Sequence, residues 1–160
     1  MQKVTILCTG KLKEKFYLDA AAEYAKRLSR FCKLDILELP EERLPENPSP
    51  AQVEAALFKE ADAVRAKLPA SCLLIAMCVE GKERSSEELA RYLADSAAQG
   101  ASHIVFLIGS SFGMHPSLKQ QADLRLSMSP MTFPHHLLRV MLLEQIYRAY
   151  QINAGSRYHK

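Results

Sequence analysis

Three segments in the last third of the chain carry residues suited to ligand binding or proton transfer. Residues 109–113 form a serine loop bracketed by glycines, directly after an apolar segment at 103–108. Residues 127–132 place hydroxyl side chains after another short strand, and residues 157–160 bring a tyrosine and a histidine to the end of the chain. In an open α/β sheet, ligands bind beyond the carboxyl ends of the strands. The sequence therefore predicts a cleft with a polar floor, built from turns that follow strands.

None of these segments matches a common nucleotide-binding motif by itself. The loop at 109–113 lacks the spacing Gly-x-Gly-x-x-Gly, and no Walker-type Lys-Ser or Lys-Thr follows it. Glycine permits a positive φ or a close approach to a ligand. Gly109 and Gly113 are therefore compatible with a simple tight turn as well as with a binding loop. The hydroxyl residues at 127–132 are likewise compatible with a strand end and a helix cap.

Histidine and cysteine spacing gives no support for a metal site. His135 and His136 are consecutive, so they point in different directions on a helix and form a poor ligand pair. The cysteines lack Cys-x-x-Cys spacing and fall mostly in apolar segments, which predicts buried, reduced thiols. These cysteines are Cys8, Cys32, Cys72 and Cys78. We expect no metal.

Strands and helices alternate along the chain, which predicts an α/β fold with a mostly parallel sheet and helices on both faces. Capping boxes at 49–52 and 85–88 mark two helix starts, and an apolar stripe from Phe16 to Phe31 marks the first helix. The length of 160 residues fits a single domain. The predicted strands cover 3–9, 34–39, 72–79, 103–108 and 124–128, and the predicted helices cover 13–32, 49–68, 85–100 and segments starting near Pro116 and Pro134.

Composition and charge narrow the functional classes. No apolar run approaches the roughly 18 residues that span a membrane, and the N-terminal strand lacks the features of a signal peptide. We therefore expect a cytoplasmic protein without membrane contact. Residues 1–33 carry eight basic and three acidic side chains, residues 34–100 carry seven and 13, and residues 101–160 carry six and two. The two basic segments form a positive face for a polyanion if they meet, and otherwise only solvate helices.

Taken together, these segments resemble the RlmH-type methyltransferases of the SPOUT class. The resemblance rests on the order and spacing of several motifs and covers essentially the whole chain. Two positions depart from the family pattern: Ser110 stands where a glycine is usual, and Met77 where leucine is common. The residues that carry the resemblance are Leu107-Ile-Gly109 with Gly113, Leu126-Ser-Met-Ser-Pro-Met-Thr-Phe-Pro-His135, Leu138-Arg139-Val140, Leu143-Glu-Gln-Ile-Tyr-Arg-Ala149, Tyr158-His-Lys160 and the turn Glu80-Gly81-Lys82.

The resemblance implies a trefoil knot within about residues 72–160, which general folding rules would not predict. It also implies that S-adenosylmethionine binds in the knot, mainly through backbone groups of three loops. The implied binding residues are Met77, Gly109, Gly113, Ser127, Met128, Ser129, Pro130, Met131 and Thr132. It further implies a homodimer, which agrees with a last helix that is apolar on more than one face.

The activity implied by the resemblance is methylation of N3 of a pseudouridine in 23S ribosomal RNA, in the helix 69 region, on ribosomes. The cofactor brings an activated methyl group, so the protein must align N3 and help it lose its proton. The expected catalytic residues are His159, Tyr158 and Arg139, in that order. Two other classes stay open from the residues alone: a non-catalytic RNA- or ribosome-binding α/β module, and a small flavin- or nucleotide-binding protein.

Overall fold

A central sheet of five strands forms the core of the molecule. The computed structural model describes all 160 residues. The strands are β1 (Lys3–Thr9), β2 (Lys33–Leu39), β3 (Leu73–Glu83), β4 (His103–Ile108) and β5 (Leu124–Ser127). They lie in the order β2-β1-β4-β3-β5, and every neighbouring pair is parallel. The predicted α/β class with a parallel sheet is therefore confirmed.

Five helices cover both faces of this sheet. They are α1 (Lys15–Leu28), α2 (Pro50–Lys67), α3 (Ser86–Ala98), α4 (Pro116–Gln121) and α5 (His135–Asn153). Helices α1, α3 and α5 pack together on one face, and α2 and α4 cover the other. The prediction of helices on both faces is confirmed. None of the helices is long and apolar enough to cross a membrane.

The side chains of the central strands explain these two layers. On β4, Ile104 and Phe106 pack in the layer of α1, α3 and α5, whereas Val105 and Leu107 pack in the layer of α2 and α4. All four residues are buried. Successive residues of a strand point to opposite faces, so a strand covered on both sides must be apolar throughout.

The helix starts follow the local signals in the sequence. The Ser49 hydroxyl accepts a hydrogen bond from the N–H of Gln52 at 3.2 Å, and the Ser85 hydroxyl accepts one from the N–H of Glu88 at 3.1 Å. In both cases the N3 side chain bonds back to the N-cap N–H, so both predicted capping boxes form. Short-range chemistry therefore set these boundaries.

The buried stripe of α1 differs from the predicted one. The helix covers residues 15–28 and not 13–32, and Phe16 is 66% exposed. The residues that pack toward the core include Tyr17, Ala21 and Leu28, which lie on one helical face. The prediction that Phe16 begins the buried stripe is wrong, because the face that packs on the core begins at Tyr17, whereas Tyr24 and Leu28 of the predicted stripe do pack on the core.

Strand β3 continues four residues beyond its predicted end and contains a wide irregularity. Leu126 of β5 lies opposite both Met77 and Lys82, so the residues between these two positions bulge out of the ladder. A Cβ on Gly81 would lie 2.8 Å from backbone atoms of Arg125. Only glycine fits this close approach. The turn predicted at 80–82 is therefore the end of a bulge within a strand.

The four cysteines are free thiols. Cys8 and Cys32 are buried, and burial raises the pKa of Cys8 to about 12 and that of Cys32 to about 11. These two thiols therefore stay protonated at neutral pH. Cys72 and Cys78 are only partly buried, so the prediction of fully buried thiols applies to two of the four.

A buried arginine connects the last helix to the first two strands. Arg139 is 3% exposed; its Nη1 donates to Glu38 at 2.6 Å and its Nη2 to the carbonyl of Gly10 at 3.1 Å. Glu38 also accepts the N–H of Leu12 at 2.9 Å. Burial opposes ionisation of this carboxyl, but the bonds from Arg139 and Leu12 outweigh it, and the pKa of Glu38 lies below its ordinary value. The loop after β1 is thereby fixed beside α5.

We expect Glu38→Gln to lower the free energy of unfolding by about 2 kcal/mol near neutral pH, because Arg139 loses its counter-charge. Since the folded-state pKa is lowered, the stabilisation is present above the unfolded pKa of about 4.3 and is lost as pH falls through the folded pKa. The difference from wild type should therefore shrink below about pH 4. Urea unfolding of both proteins at several pH values measures it, and a pH-independent difference would contradict this assignment.

Candidate active site

A cavity of about 770 Å³ opens at the carboxyl ends of the central strands. Its walls come from the bulge of β3, the loops after β4 and β5, and the start of α5. This is the place where open α/β sheets bind ligands. Of the predicted binding residues, those that line the cavity are Met77, Gly109, Gly113, Met128, Ser129, Met131 and Thr132.

The loop after β4 is a tight turn closed by its own backbone. The N–H of Ser110 donates to the carbonyl of Gly113 at 3.0 Å, and the N–H of Gly113 donates to the carbonyl of Ser110 at 2.9 Å. Gly113 has a φ of +92°, which favours glycine. Gly109 is constrained differently, since a Cβ there would lie 2.6 Å from the carbonyl carbon of Gly113. Both glycines are therefore required by the turn itself.

Two carboxylates outside the cavity fix this turn. The Ser110 hydroxyl donates to Glu60 of α2 at 2.8 Å, and Ser111 donates to Glu41 through its N–H at 2.9 Å and its hydroxyl at 2.6 Å. Glu60 is buried, which raises the pKa of its carboxyl. Its second oxygen accepts the N–H of Glu42 at 2.9 Å. The hydroxyl of Ser110 is thus an additional attachment of the turn to the first half of the chain.

The loop after β5 has backbone donors that the protein itself does not use. No hydrogen bond within the chain involves the N–H groups of Met128, Ser129, Thr132 or Phe133, whereas the N–H of Met131 donates to the Ser129 hydroxyl at 3.1 Å. All five residues line the cavity. Backbone N–H groups without a protein partner bond to water or to a ligand. This loop is therefore suited to donate hydrogen bonds to a ligand.

Two histidines at the start of α5 line the same cavity. Burial, with a smaller contribution from His136, lowers the pKa of His135, so its imidazole is neutral near pH 7 and can accept a proton. The His136 ring centroid lies 4.2 Å from that of His135, and its Nδ1 lies 3.3 Å from a carboxylate oxygen of Glu14. The sequence analysis did not predict that either histidine lines the cavity. The available signal was Pro134, which marks the start of the helix beside the loop after β5.

The C-terminal tail packs on the outer side of α5 and does not line the cavity of its own chain. The Tyr158 hydroxyl donates to Glu144 at 3.0 Å, and the Arg148 guanidinium lies 4.8 Å from the Tyr158 ring centroid. The His159 ring nitrogens lie 3.1 Å from Arg148 and 2.6 Å from Glu87. The side-chain polar atoms of Tyr158 and His159 therefore all have partners within one cluster.

Three other predicted site residues lie next to the cavity and not in its lining. Arg139 is occupied by the contacts of its guanidinium described above. Ser127 donates to the carbonyl of Ser129 at 2.9 Å and lines a smaller cavity of about 400 Å³, which Glu144 also lines. Pro130 lines neither cavity. The predicted loop thus contributes most of its residues to the cavity lining, but Ser127 and Pro130 are not among them.

The basic residues predicted on the first helix are spread along its length. Lys13 and Lys15 flank Glu14, whose carboxylate contacts a cavity histidine. Lys26 lies in the last turn of α1 and Arg30 just beyond it, roughly 20 Å away for a helix of this length. Only the first group is close to the cavity.

A comparison with protein families identifies the class of protein that this fold and cavity define. The family model described as "Predicted SPOUT methyltransferase" matches residues 2–159. The chain belongs to the SPOUT methyltransferase family.

Curated relatives make the family assignment more specific. A protein of Bifidobacterium adolescentis named "Ribosomal RNA large subunit methyltransferase H" is 48% identical over 158 residues, covering 99% of each chain. A protein of the same name from Clostridium novyi is 48% identical over 157 residues, covering 98% of this chain and 99% of the relative. The resemblance to the RlmH-type methyltransferases is therefore confirmed.

Solved structures share the fold at low sequence identity. A methylase family protein from Neisseria gonorrhoeae aligns with a TM-score of 0.55 and 12% identity, covering 99% of this chain and 87% of that chain. One from Haemophilus influenzae aligns with a TM-score of 0.51 and 12% identity, covering 99% and 70%. These similarities concern the fold alone.

We expect Gly109→Ala to destabilise the protein more than Gly155→Ala, although Gly155 has a φ of +70° and Gly109 has no positive φ. A Cβ at 109 collides with the Gly113 carbonyl group, whereas nothing lies within 4 Å at 155. The losses should be roughly 2–3 and about 1 kcal/mol. Thermal unfolding measures them, and hydrogen exchange at the Ser110 amide should accelerate only in Gly109→Ala. Equal losses would contradict the close approach.

Proposed function

We propose that this protein transfers a methyl group from S-adenosylmethionine to large-subunit ribosomal RNA. The observation that carries the proposal is the cavity of about 770 Å³ at the carboxyl ends of the strands, in a chain of the SPOUT methyltransferase family. The substrate class comes from the names of relatives that match over nearly their full length.

The chemistry of the cavity suits this cofactor. Its volume falls within the range of about 300–1,000 Å³ that small-molecule sites occupy. Met77, Ile108 and Leu138 supply an apolar wall for an adenine ring. The N–H groups of Ser129 and Thr132 are available for the oxygens of a ribose or a carboxylate. Apolar walls with a few polar groups are the usual composition of such sites.

The reaction requires the protein to orient the acceptor nitrogen and to remove one proton from it. When bound, S-adenosylmethionine supplies a methyl group that is already activated on a sulfonium. The cavity must therefore hold the acceptor nitrogen in line and close by. We place the acceptance of its proton at His135, because this neutral imidazole lines the cavity. The Glu41 carboxylate favours the imidazolium that then forms.

A homodimer gives the tail a role in this reaction. Helix α5 is apolar on more than one face, and Leu137, Val140 and Met141 are only half-buried in the single chain. Tyr158 and His159 lie on the outer side of the same helix. Pairing of α5 with its copy places them at the subunit boundary, where they orient the RNA base. Sedimentation at micromolar concentration should give a dimer, and a monomer would remove this role.

The identity of the methylated nucleotide is proposed from the resemblance to the RlmH-type methyltransferases. We propose N3 of a pseudouridine in the helix 69 region of 23S RNA, modified on cytoplasmic ribosomes. An imide nitrogen of this kind is moderately acidic, so a neutral imidazole suffices as its base. The trefoil knot within about residues 72–160 is proposed on the same ground, and Arg139 then serves to position the first loop instead of touching the substrate.

Calorimetric titration with S-adenosylmethionine tests the cofactor. Wild type should bind, and Gly109→Val should not, because its side chain displaces the turn that forms one wall. Gly155→Val is the matched control, since position 155 is open and remote from the cavity. A folded wild-type chain without cofactor affinity would favour a non-catalytic RNA-binding module.

Mass spectrometry of large-subunit RNA tests the reaction. RNA from a deletion strain should lack one methyl group, and wild-type protein with S-adenosylmethionine should restore it on isolated ribosomes. Fragment masses locate the nucleotide, and the retention of the methyl group on the base distinguishes N-methylation from ribose methylation. Identical methylation in deletion and parent strains would refute the proposal.

Two alanine variants separate the roles of the histidines. We expect His135→Ala to lower the rate of methyl transfer about 100-fold and to abolish the acid limb of the pH–rate profile. In wild type that limb should lie below the ordinary imidazole pKa of about 6.5, because burial lowers the pKa of His135. His159→Ala should raise KM for ribosomes while keeping the acid limb. Loss of the limb in His159→Ala alone would assign the base to the tail.

A further inference from the structure

A row of aromatic rings runs from the exposed start of α1 into the cavity. The centroids of Phe16 and Tyr17 lie 4.4 Å apart, those of Tyr17 and His136 lie 6.2 Å apart, and those of His136 and His135 lie 4.2 Å apart. The two histidines line the cavity. We call these four residues the aromatic row. It forms a continuous aromatic path between solvent and the reacting centre.

The outer end of the aromatic row is unusually exposed. Phe16 is 66% exposed, and Leu18 beside it is 46% exposed. A single exposed apolar side chain is ordinary on a protein surface. Phe16 differs because its ring continues into a series that ends in the cavity, and because α1 buries a different face. The core of the fold therefore does not account for an aromatic residue at this position.

Positive charge lies along the same surface. Lys11 and Lys13 are exposed and form no ion pair, whereas Lys15 pairs with Asp19 at 2.7 Å. The carboxylate of Glu14 is engaged by a histidine of the aromatic row. The surface beside the row thus offers two unpaired ammonium groups. Such a combination of unpaired ammonium groups and exposed aromatic rings matches a strand of phosphates with accessible bases.

We propose that the aromatic row binds the unpaired RNA nucleotides that flank the methylated one, with Phe16 as a platform for a stacked base. This inference rests on the proposed function and specifies how the substrate reaches the site. Aromatic side chains bind single-stranded RNA by stacking, whatever the base, and lysines beside them follow the backbone. The row thereby orients the nucleotide that enters the cavity.

The structure keeps this surface in a fixed position relative to the cavity. Lys11 and Leu12 belong to the loop that Glu38 and Arg139 tie to α5. Helix α1 also packs directly against α5. A stacked base on Phe16 is therefore held at a defined distance from the cavity histidines, which is what alignment of a reactive atom requires.

Substitutions at Phe16 test the stacking. Phe16→Ala should lower kcat/KM for ribosomes about 10-fold or more, mainly through KM, and leave the affinity for S-adenosylmethionine unchanged. Phe16→Trp should restore activity, whereas Phe16→Leu should not, because leucine is apolar but cannot stack. Phe58→Ala is the matched control, since Phe58 is 51% exposed on α2 at the opposite face of the sheet. Equal kcat/KM in Phe16→Ala and Phe58→Ala would overturn the proposal.

A second pair of variants tests the lysines. Replacing Lys11 and Lys13 by glutamine should reduce the slope of log affinity against log salt by about 1.4, the value for two contacts to single-stranded RNA. Replacing Lys59 and Lys67 on α2, which are equally charged and exposed, should leave the slope unchanged. The readout is binding of large ribosomal subunits over a range of salt concentrations. Equal slopes for the two double variants would overturn the proposed path.

The experiments distinguish a failure of this inference from a failure of the proposed function. If wild type methylates ribosomal RNA and Phe16→Ala does so equally well, only the aromatic row is refuted. If wild type binds large subunits in a Phe16-dependent way without methylating them, the RNA surface is supported and the reaction is refuted. A change of oligomeric state in Phe16→Ala would mean that a second copy occupies this surface, and it would overturn the proposal.

Discussion

The ion pair between Arg139 and Glu38 is the interaction on which the rest of the site depends. Its two side chains lie 2.6 Å apart, with the guanidinium almost fully buried. The backbone of Gly10 and Leu12 bonds to the same two groups. A buried charge without its partner is strongly destabilising. This pair therefore fixes the first loop beside the last helix, and the start of that helix forms one side of the cavity.

On the opposite side of the cavity, backbone segments approach each other closely. At Gly81 and Gly109 the space for a side chain is already filled by another backbone segment. The walls can therefore offer main-chain groups to a ligand. The loop after β5 has N–H groups that form no hydrogen bond within the chain and that can serve this purpose. Glu60 and Ser110 add a polar attachment from the first half of the chain.

Three regions then divide the work of the proposed reaction. In our proposal the cavity holds the methyl donor beside His135, the aromatic row receives the RNA strand, and the tail completes the site at a subunit boundary. The tail cluster, with Tyr158 on Glu144, lies on the outer side of α5, whereas the aromatic row begins at Phe16 on α1. The tail lies apart from the cavity lining, whereas the aromatic row enters the cavity through His136 and His135. Phe16 at the outer end of the row and His159 in the tail both lie outside the cavity lining, so kinetics can distinguish their roles from that of His135.

The sequence by itself determined the order of strands and helices, both capping boxes and the two loops that line the cavity. These features depend on hydrophobic period and short-range hydrogen bonds, which are visible in neighbouring residues. Tertiary structure alone decided that β3 bulges beside β5, that Phe16 is exposed and that His135 faces the cavity. It also decided that Arg139 is occupied by Glu38, 101 residues away along the chain. Such contacts form only when distant segments are packed together, because no local pattern specifies which residue becomes the partner of another.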